Sequence, residues 1–208
     1  MTVAGLLLAA GGGSRFGGPK ALVELDGALL VERAVQVLRD GGCAPVLVVL
    51  GAQADRVRAA TDLPDVVVAP DWADGMGASL RAGLARLAQG PAQACVISLV
   101  DQPLVGSAAV ERLRSAWQAG AGAAVATYGG RPRNPVLLGR TVWADVAAAA
   151  SGDAGARTWL RGHPDLVTPV PCDDTGSPYD IDTTEDLAAL LDPPSPHPSP
   201  DDRRVRPA

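Results

Sequence analysis

Residues 3–20 read Val3-Ala-Gly-Leu-Leu-Leu-Ala-Ala10-Gly-Gly-Gly-Ser-Arg15-Phe-Gly-Gly-Pro-Lys20. A small or apolar run that passes directly into a glycine-rich turn is the pattern of a strand buried on both faces and ending at a ligand. Gly11, Gly12, Gly13, Gly17 and Gly18 let the backbone take positive φ and approach a guest closely. Backbone N–H groups in such a turn form a concave anion site, to which Arg15 and Lys20 add two cations. The guest that fits is a polyphosphate, and the plainer alternative is a merely flexible turn. Two familiar phosphate loops are ruled out. The dinucleotide fingerprint needs glycine where Phe16 stands, and the P-loop needs Gly-Lys-Ser/Thr where Pro19 separates Gly18 from Lys20 and Ala21 follows.

Composition marks the same loop. Lys20 is the one lysine and Phe16 the one phenylalanine, whereas arginine occurs seventeen times. Lysine is a compact point charge that arginine does not replace neutrally, so its survival at a single position points to a need for it there. Asn134, the one asparagine, and Met76, the one methionine after the first residue, are also expected in loops.

At 208 residues the chain is one domain able to bury a full core. No apolar run approaches the ~18 residues of a membrane span, and the start is read as a first strand rather than a signal peptide. A net charge of −5 argues against a nucleic-acid partner. Cys43, Cys95, Cys172, His163 and His197 lack zinc-ligand spacing. The cytoplasm is the expected compartment.

Short apolar runs at Val3–Ala10, Val46–Leu50, Val66–Ala69, Ala94–Val100, Ala123–Thr127 and Leu166–Val170 alternate with helical patterns near Leu29–Arg39, Asp55–Ala60, Ala78–Ala88, Ala108–Ala119, Val142–Ala149, Ala154–Arg161 and Thr184–Leu191. This alternation predicts a three-layer α/β/α fold with a mostly parallel sheet. Ligands bind beyond the carboxyl ends of such strands, which selects the loops 11–20, 70–77 and 101–104. The domain spans 1–191, and the proline-dense segment 192–208 is expected to be a disordered tail.

Other constellations fall near these loops. Asp101 ends an apolar strand and reads as a Mg²⁺ ligand or as a cap for the next helix. In Asp182-Thr-Thr-Glu-Asp186, capping accounts for Thr184, Glu185 and Asp186 but leaves Asp182 available as a second metal ligand. Gly75 and Gly77 precede a helix whose N-terminus and Ser79 can meet a nucleotide, or they simply start a capped helix. Arg131, Arg133 and Arg157 are phosphate contacts or solvated surface charges.

The first loop resembles the L-x-x-G-x-G/S-x-R-x-G-x-x-K signature of nucleotidyltransferases, matched by Leu8, Gly11, Gly13, Arg15, Gly17 and Lys20. Trp72-x-x-Gly75-x-x-x-Ser79-Leu80, Gly130-x-x-x-Asn134-Pro135 and Gly152-Asp153-x-Gly155-Ala156-Arg157 extend the resemblance to the molybdenum cofactor cytidylyltransferase branch of the MobA-like NTP transferases, over residues 5 to about 190. Thr184 stands where that family usually has proline. The resemblance implies a Rossmann-like sheet of the nucleotide-diphospho-sugar transferase type. It implies CMP transfer from CTP to the terminal phosphate of a molybdopterin-type cofactor, with pyrophosphate released. Arg15, Lys20 and Asp101 would be catalytic, and Leu8, Ala9, Ala10, Gly11, Gly13, Ser14, Gly75 and Ser79 would help bind the nucleotide. Asp101 and Asp182 would hold Mg²⁺, and Asn134, Asp153 and Arg157 would meet the acceptor. Leu8-Ala9-Ala10-Gly11, in place of the Leu-Ala-Gly-Gly of guanylyltransferase relatives, favours CTP over GTP. A molybdoenzyme or its chaperone is the further partner implied. The rivals are a guanylyl- or other nucleotidyltransferase acting on molybdopterin, phospholactate or a sugar phosphate, a cofactor-binding chaperone, and a dinucleotide-binding oxidoreductase, the last weakened by Phe16.

Overall fold

A computed structural model of the protein describes residues 2–191; the segment 192–208, with the tail expected there, lies outside the described residues. The elements are β1 (Val3–Ala9), a two-stranded hairpin of β2 (Glu24–Leu25) and β3 (Ala28–Leu29), α1 (Leu30–Asp40), β4 (Val46–Leu50), α2 (Ala54–Ala60), β5 (Asp65–Val68) and α3 (Met76–Leu87). They continue with β6 (Ala94–Leu99), α4 (Ser107–Gln118), β7 (Ala123–Tyr128), β8 (Arg131–Gly139), α5 (Trp143–Ala149), α6 (Arg157–Gly162), β9 (Val167–Pro171) and α7 (Thr184–Leu191).

Seven strands form one sheet in the order β5-β4-β1-β6-β8-β7-β9. β8 is antiparallel to both of its neighbours, while the other pairings are parallel. The predicted three-layer α/β/α architecture with a mostly parallel sheet is therefore correct. Side chains alternate across β1 as strand geometry requires. Val3, Leu7 and Ala9 enter the core under α1 and α4, and Ala4, Leu6 and Leu8 enter the core under α3, α5 and α6.

β8 corrects the sequence expectation, which placed Asn134 in a loop. Two prolines in Arg131-Pro-Arg-Asn-Pro argue against a central strand because proline donates no ladder hydrogen bond. The strand accommodates them where it has one neighbour. Val136–Gly139 pair with β6, whereas Arg131–Arg133 pair with β7 alone, and the register shifts between Val125 and Ala126 to pass Asn134 and Pro135. Met76 is likewise the first residue of α3 rather than a loop residue. Gly155, at φ +52, separates a short turn at 152–154 from α6, which starts three residues later than expected.

Candidate active site

The chain leaves β1 for β4 and β5 on one side and returns to β6 on the other, so the carboxyl ends of β1 and β6 flank a topological switch point. A cleft of about 430 Å³ opens there. Leu8 and Ala10 from β1 and its exit, together with Leu99, Val100 and Asp101 from the exit of β6, line its centre. The two exits are stitched together by Val100 N–H donating to the Leu8 carbonyl at 3.2 Å.

The glycine loop folds over the cleft mouth. Gly13 takes φ +57, and a Cβ there would collide with the Gly18 carbonyl oxygen, so both conformation and packing demand glycine. The turn closes through Phe16 N–H donating to the Gly13 carbonyl at 2.8 Å. Gly11, Gly13, Ser14 and Arg15 all line the cleft, with Arg15 exposed and in no ion pair among the described residues. Pro19 and the 3₁₀ turn Lys20–Leu22, anchored by the buried Ala21, then aim Lys20 back into the cleft.

Lys20 Nζ donates to Asp101 Oδ2 at 3.1 Å and to Asp182 Oδ1 at 2.7 Å. Its side chain is 16 % exposed, against 27 % for Asp101 and 54 % for Asp182. Burial acts to lower the Lys20 pKa, but the Asp182 hydrogen bond and the Asp101 charge outweigh it, and the ammonium is held above its ordinary range. Asp101 does not cap α4, whose N-cap is Gly106. Asp182 is fixed from behind. Asp186 Oδ2 accepts from the backbone N–H of Asp182 at 2.9 Å and of Thr183 at 2.8 Å, while Thr183 Oγ1 accepts from Asp186 N–H at 3.2 Å. This reciprocal box caps α7, and Ile181 N–H donating to the Asp101 carbonyl at 2.8 Å ties the two acidic segments together.

On the other side, Gly75 (φ +101) leads into α3, and a Cβ there would come within 2.7 Å of Asp153 Oδ1. That close approach draws Asp153 into the cleft beside Met76 and the buried Ser79. Three expected residues do not line it. Ala9 points its side chain into the opposite core, as strand alternation dictates. Asn134 is half-buried at the β8 irregularity, and Arg157 is exposed on α6. Of Asn134, Asp153 and Arg157, Asp153 alone lines the cleft. Of the loop 101–104 only Asp101 contributes. The sequence reading also left Trp72, Ala73, Met76, Leu99 and Val100 out of its site residues, and all five line the cleft.

A glycine-walled, cation-bearing cleft at the switch point of an α/β sheet defines a nucleotide-binding enzyme. The MobA-like NTP transferase domain model matches residues 5–167, and the chain belongs to that family. It is 40% identical over 198 residues to the nicotine blue oxidoreductase of Paenarthrobacter nicotinovorans, covering 91% of this chain and 96% of that one. It is 34% identical over 200 residues to the molybdenum cofactor guanylyltransferase of Rhodobacter capsulatus, covering 92% and 96%. The crystal structure of Rv0371c from Mycobacterium tuberculosis H37Rv matches with a TM-score of 0.81 at 33% identity over 92% of this chain and 97% of that one. The same protein in complex with manganese matches with a TM-score of 0.77 at 31% identity, over 92% and 98%. The fold is the Rossmann-like nucleotide-diphospho-sugar transferase fold, and the chain is an enzyme of the MobA-like nucleotidyltransferase type. No described helix is long and apolar enough to cross a membrane.

Proposed function

We propose that the protein transfers CMP from CTP to the terminal phosphate of a molybdopterin-type cofactor and releases pyrophosphate. The observation that carries this reading is the Lys20–Asp101–Asp182 cluster beneath the loop that bears Arg15. Phosphoryl-type transfer needs positioning and charge neutralisation rather than a nucleophilic side chain. Arg15 and Lys20 bind the triphosphate and hold positive charge beside the α-phosphorus as the acceptor phosphate attacks in line. The backbone N–H groups of the loop orient the triphosphate, and α3 with Ser79 receives the nucleoside. Asp153 faces the acceptor.

Asp101 and Asp182 fit a divalent cation. Their oxygens lie within 3.1 and 2.7 Å of one ammonium nitrogen, so a single cation can be shared between them, and hard carboxylate oxygens suit Mg²⁺ or Mn²⁺. When bound, Mg²⁺ would supply charge neutralisation on the phosphates.

The choice of CTP is supported by Ala10, whose methyl is buried in the cleft lining where glycine would leave room for a larger base. The partners in this reading are CTP, the pterin cofactor and a recipient molybdoenzyme or its chaperone. The cytoplasm is the compartment we assign, supported by free thiols at Cys43, Cys95 and Cys172. Pyrophosphate release with Mg²⁺ and reduced molybdenum cofactor, compared across CTP, GTP and ATP, tests the reading. Release with CTP alone upholds it, release with GTP alone overturns the base assignment, and no release with any nucleotide overturns the reaction.

One observation favours a second reading. The relative at 40% identity is named an oxidoreductase, so the same cleft is proposed as an alternative to hold a reduced dinucleotide and a flat electron acceptor. Oxidation of NADH or NADPH by the protein with a quinonoid dye, in assays where no nucleotide gives pyrophosphate, would establish that reading instead.

A further inference from the structure

Trp72 opens the 3₁₀ turn Trp72–Asp74 that leads into α3. Its indole is half-buried and lines the cleft beside Ala10, Gly75 and Ser79. The ring's outer edge lies against the glycine loop, where a Cβ on Gly12 would stand 3.6 Å from Cη2 and Cζ3. The root of the side chain rests on Gly51, just after β4. A Cβ there would come within 2.5 Å of Trp72 Cβ, 2.6 Å of Cγ and 2.7 Å of the Ala10 carbonyl oxygen. The bare backbone at Gly51 is what lets the indole settle against the ends of β1 and β4.

The other tryptophans are occupied elsewhere. Trp143 and Trp159 are 4 % and 3 % exposed; the first donates to the Leu138 carbonyl at 3.0 Å, and the second stacks on His163 with ring centroids 4.5 Å apart. Trp117 packs against the opposite core. Trp72 is the one tryptophan among the described residues that lines the cleft. It also lies on the β4–β5 side, whereas Lys20, Asp101 and Asp182 lie toward β6. The cleft therefore has cations and anion-binding backbone at its centre and an aromatic surface at one flank, the layout that a nucleoside triphosphate fills.

We propose that Trp72 is the platform on which the nucleobase stacks, which rests on the nucleotidyltransferase reading and adds a residue to it. Every base has a π-face, so stacking supports pyrimidine and purine alike, and Trp72 supplies affinity while discrimination falls to other groups such as Ala10. Calorimetric titration of wild-type protein, Trp72→Ala and Trp72→Phe with CTP, GTP and inorganic tripolyphosphate tests this. Trp72→Ala weakens CTP and GTP each about tenfold, on the scale of one lost base–aromatic stack, leaves tripolyphosphate unchanged, and Trp72→Phe recovers most of the loss. Equal weakening of CTP and tripolyphosphate, or unaltered CTP binding in Trp72→Ala, overturns the proposal. Wild-type protein that binds tripolyphosphate but no nucleoside triphosphate overturns the nucleotidyltransferase reading as well.

Discussion

The Lys20 ammonium donates to Asp182 Oδ1 at 2.7 Å, across 162 residues of sequence, with Asp101 Oδ2 3.1 Å from the same nitrogen. A lysine thus stands between the two carboxylates that we propose as ligands of a divalent cation. On the reading proposed above, a metal held by Asp101 and Asp182 would displace Lys20, to which a triphosphate would offer another anionic partner. In the free protein, Lys20→Met is expected to tighten Mn²⁺ binding about tenfold, read by the loss of the free-ion EPR signal, while turnover falls at least ~100-fold, the usual scale for removing a donor to the transition state. Unchanged Mn²⁺ affinity would mean that Lys20 does not occupy the cation position.

The proposed choice of CTP rests on the single methyl group of Ala10. Ala10→Gly opens the cleft lining beside Trp72, and one methyl in a pocket is worth about tenfold or more in discrimination. The ratio of kcat/KM for GTP over CTP is expected to rise by roughly that factor, with Tm little altered. A constant ratio would locate base choice elsewhere in the cleft.

Asp186 links pH to the position of Asp182. Hydrogen bonds from the Asp182 backbone, then from Tyr179 and Thr183, hold its carboxyl below its ordinary 3.8. A depressed folded-state pKa stabilises above the unfolded value and is lost as pH falls through the folded one. The cap of α7 is therefore intact above pH 3.8 and loosens only below it. Hydrogen exchange at residues 182–187 should accelerate selectively below that pH. Asp186→Ala should show the same acceleration at neutral pH and lower activity about tenfold through misplaced Asp182. Exchange in that variant identical to wild type at both pH values would contradict the role.

The first strand and its glycine loop were legible because their signals are local. The run Val3–Ala10 is buried on both faces, the loop after it supplies its own glycines and cations, and Asp101 follows an apolar strand. The pairing of Lys20 with both aspartates was not legible, since it joins residues brought together only by the switch point and by the return of the chain before α7. β8 was hidden by its prolines, whose tolerance depends on having β7 as sole neighbour, a fact of the sheet rather than of the segment. The place of Ala9 was not legible either, since strand alternation sends its side chain to the far face. Trp72 belongs to a local motif, but its seat on the bare backbone of Gly51, twenty-one residues earlier, and its place in the cleft lining depend on the fold.

The reversed direction of β8 gives the sheet a cantilever. Past the last contact with β6 at Val136, the β7–β8 arm runs on to Gly129 and Gly130 at the cleft end, braced by Asp173 accepting from Gly129 N–H at 2.6 Å. Its tip can change length or charge without disturbing β1, β4, β5 or the phosphate loop. Selection can therefore vary that tip while the strands that carry the glycine loop and Asp101 keep their places. A scaffold divided in this way is suited to a lineage in which relatives of 34–40% identity bear the names of a guanylyltransferase and an oxidoreductase.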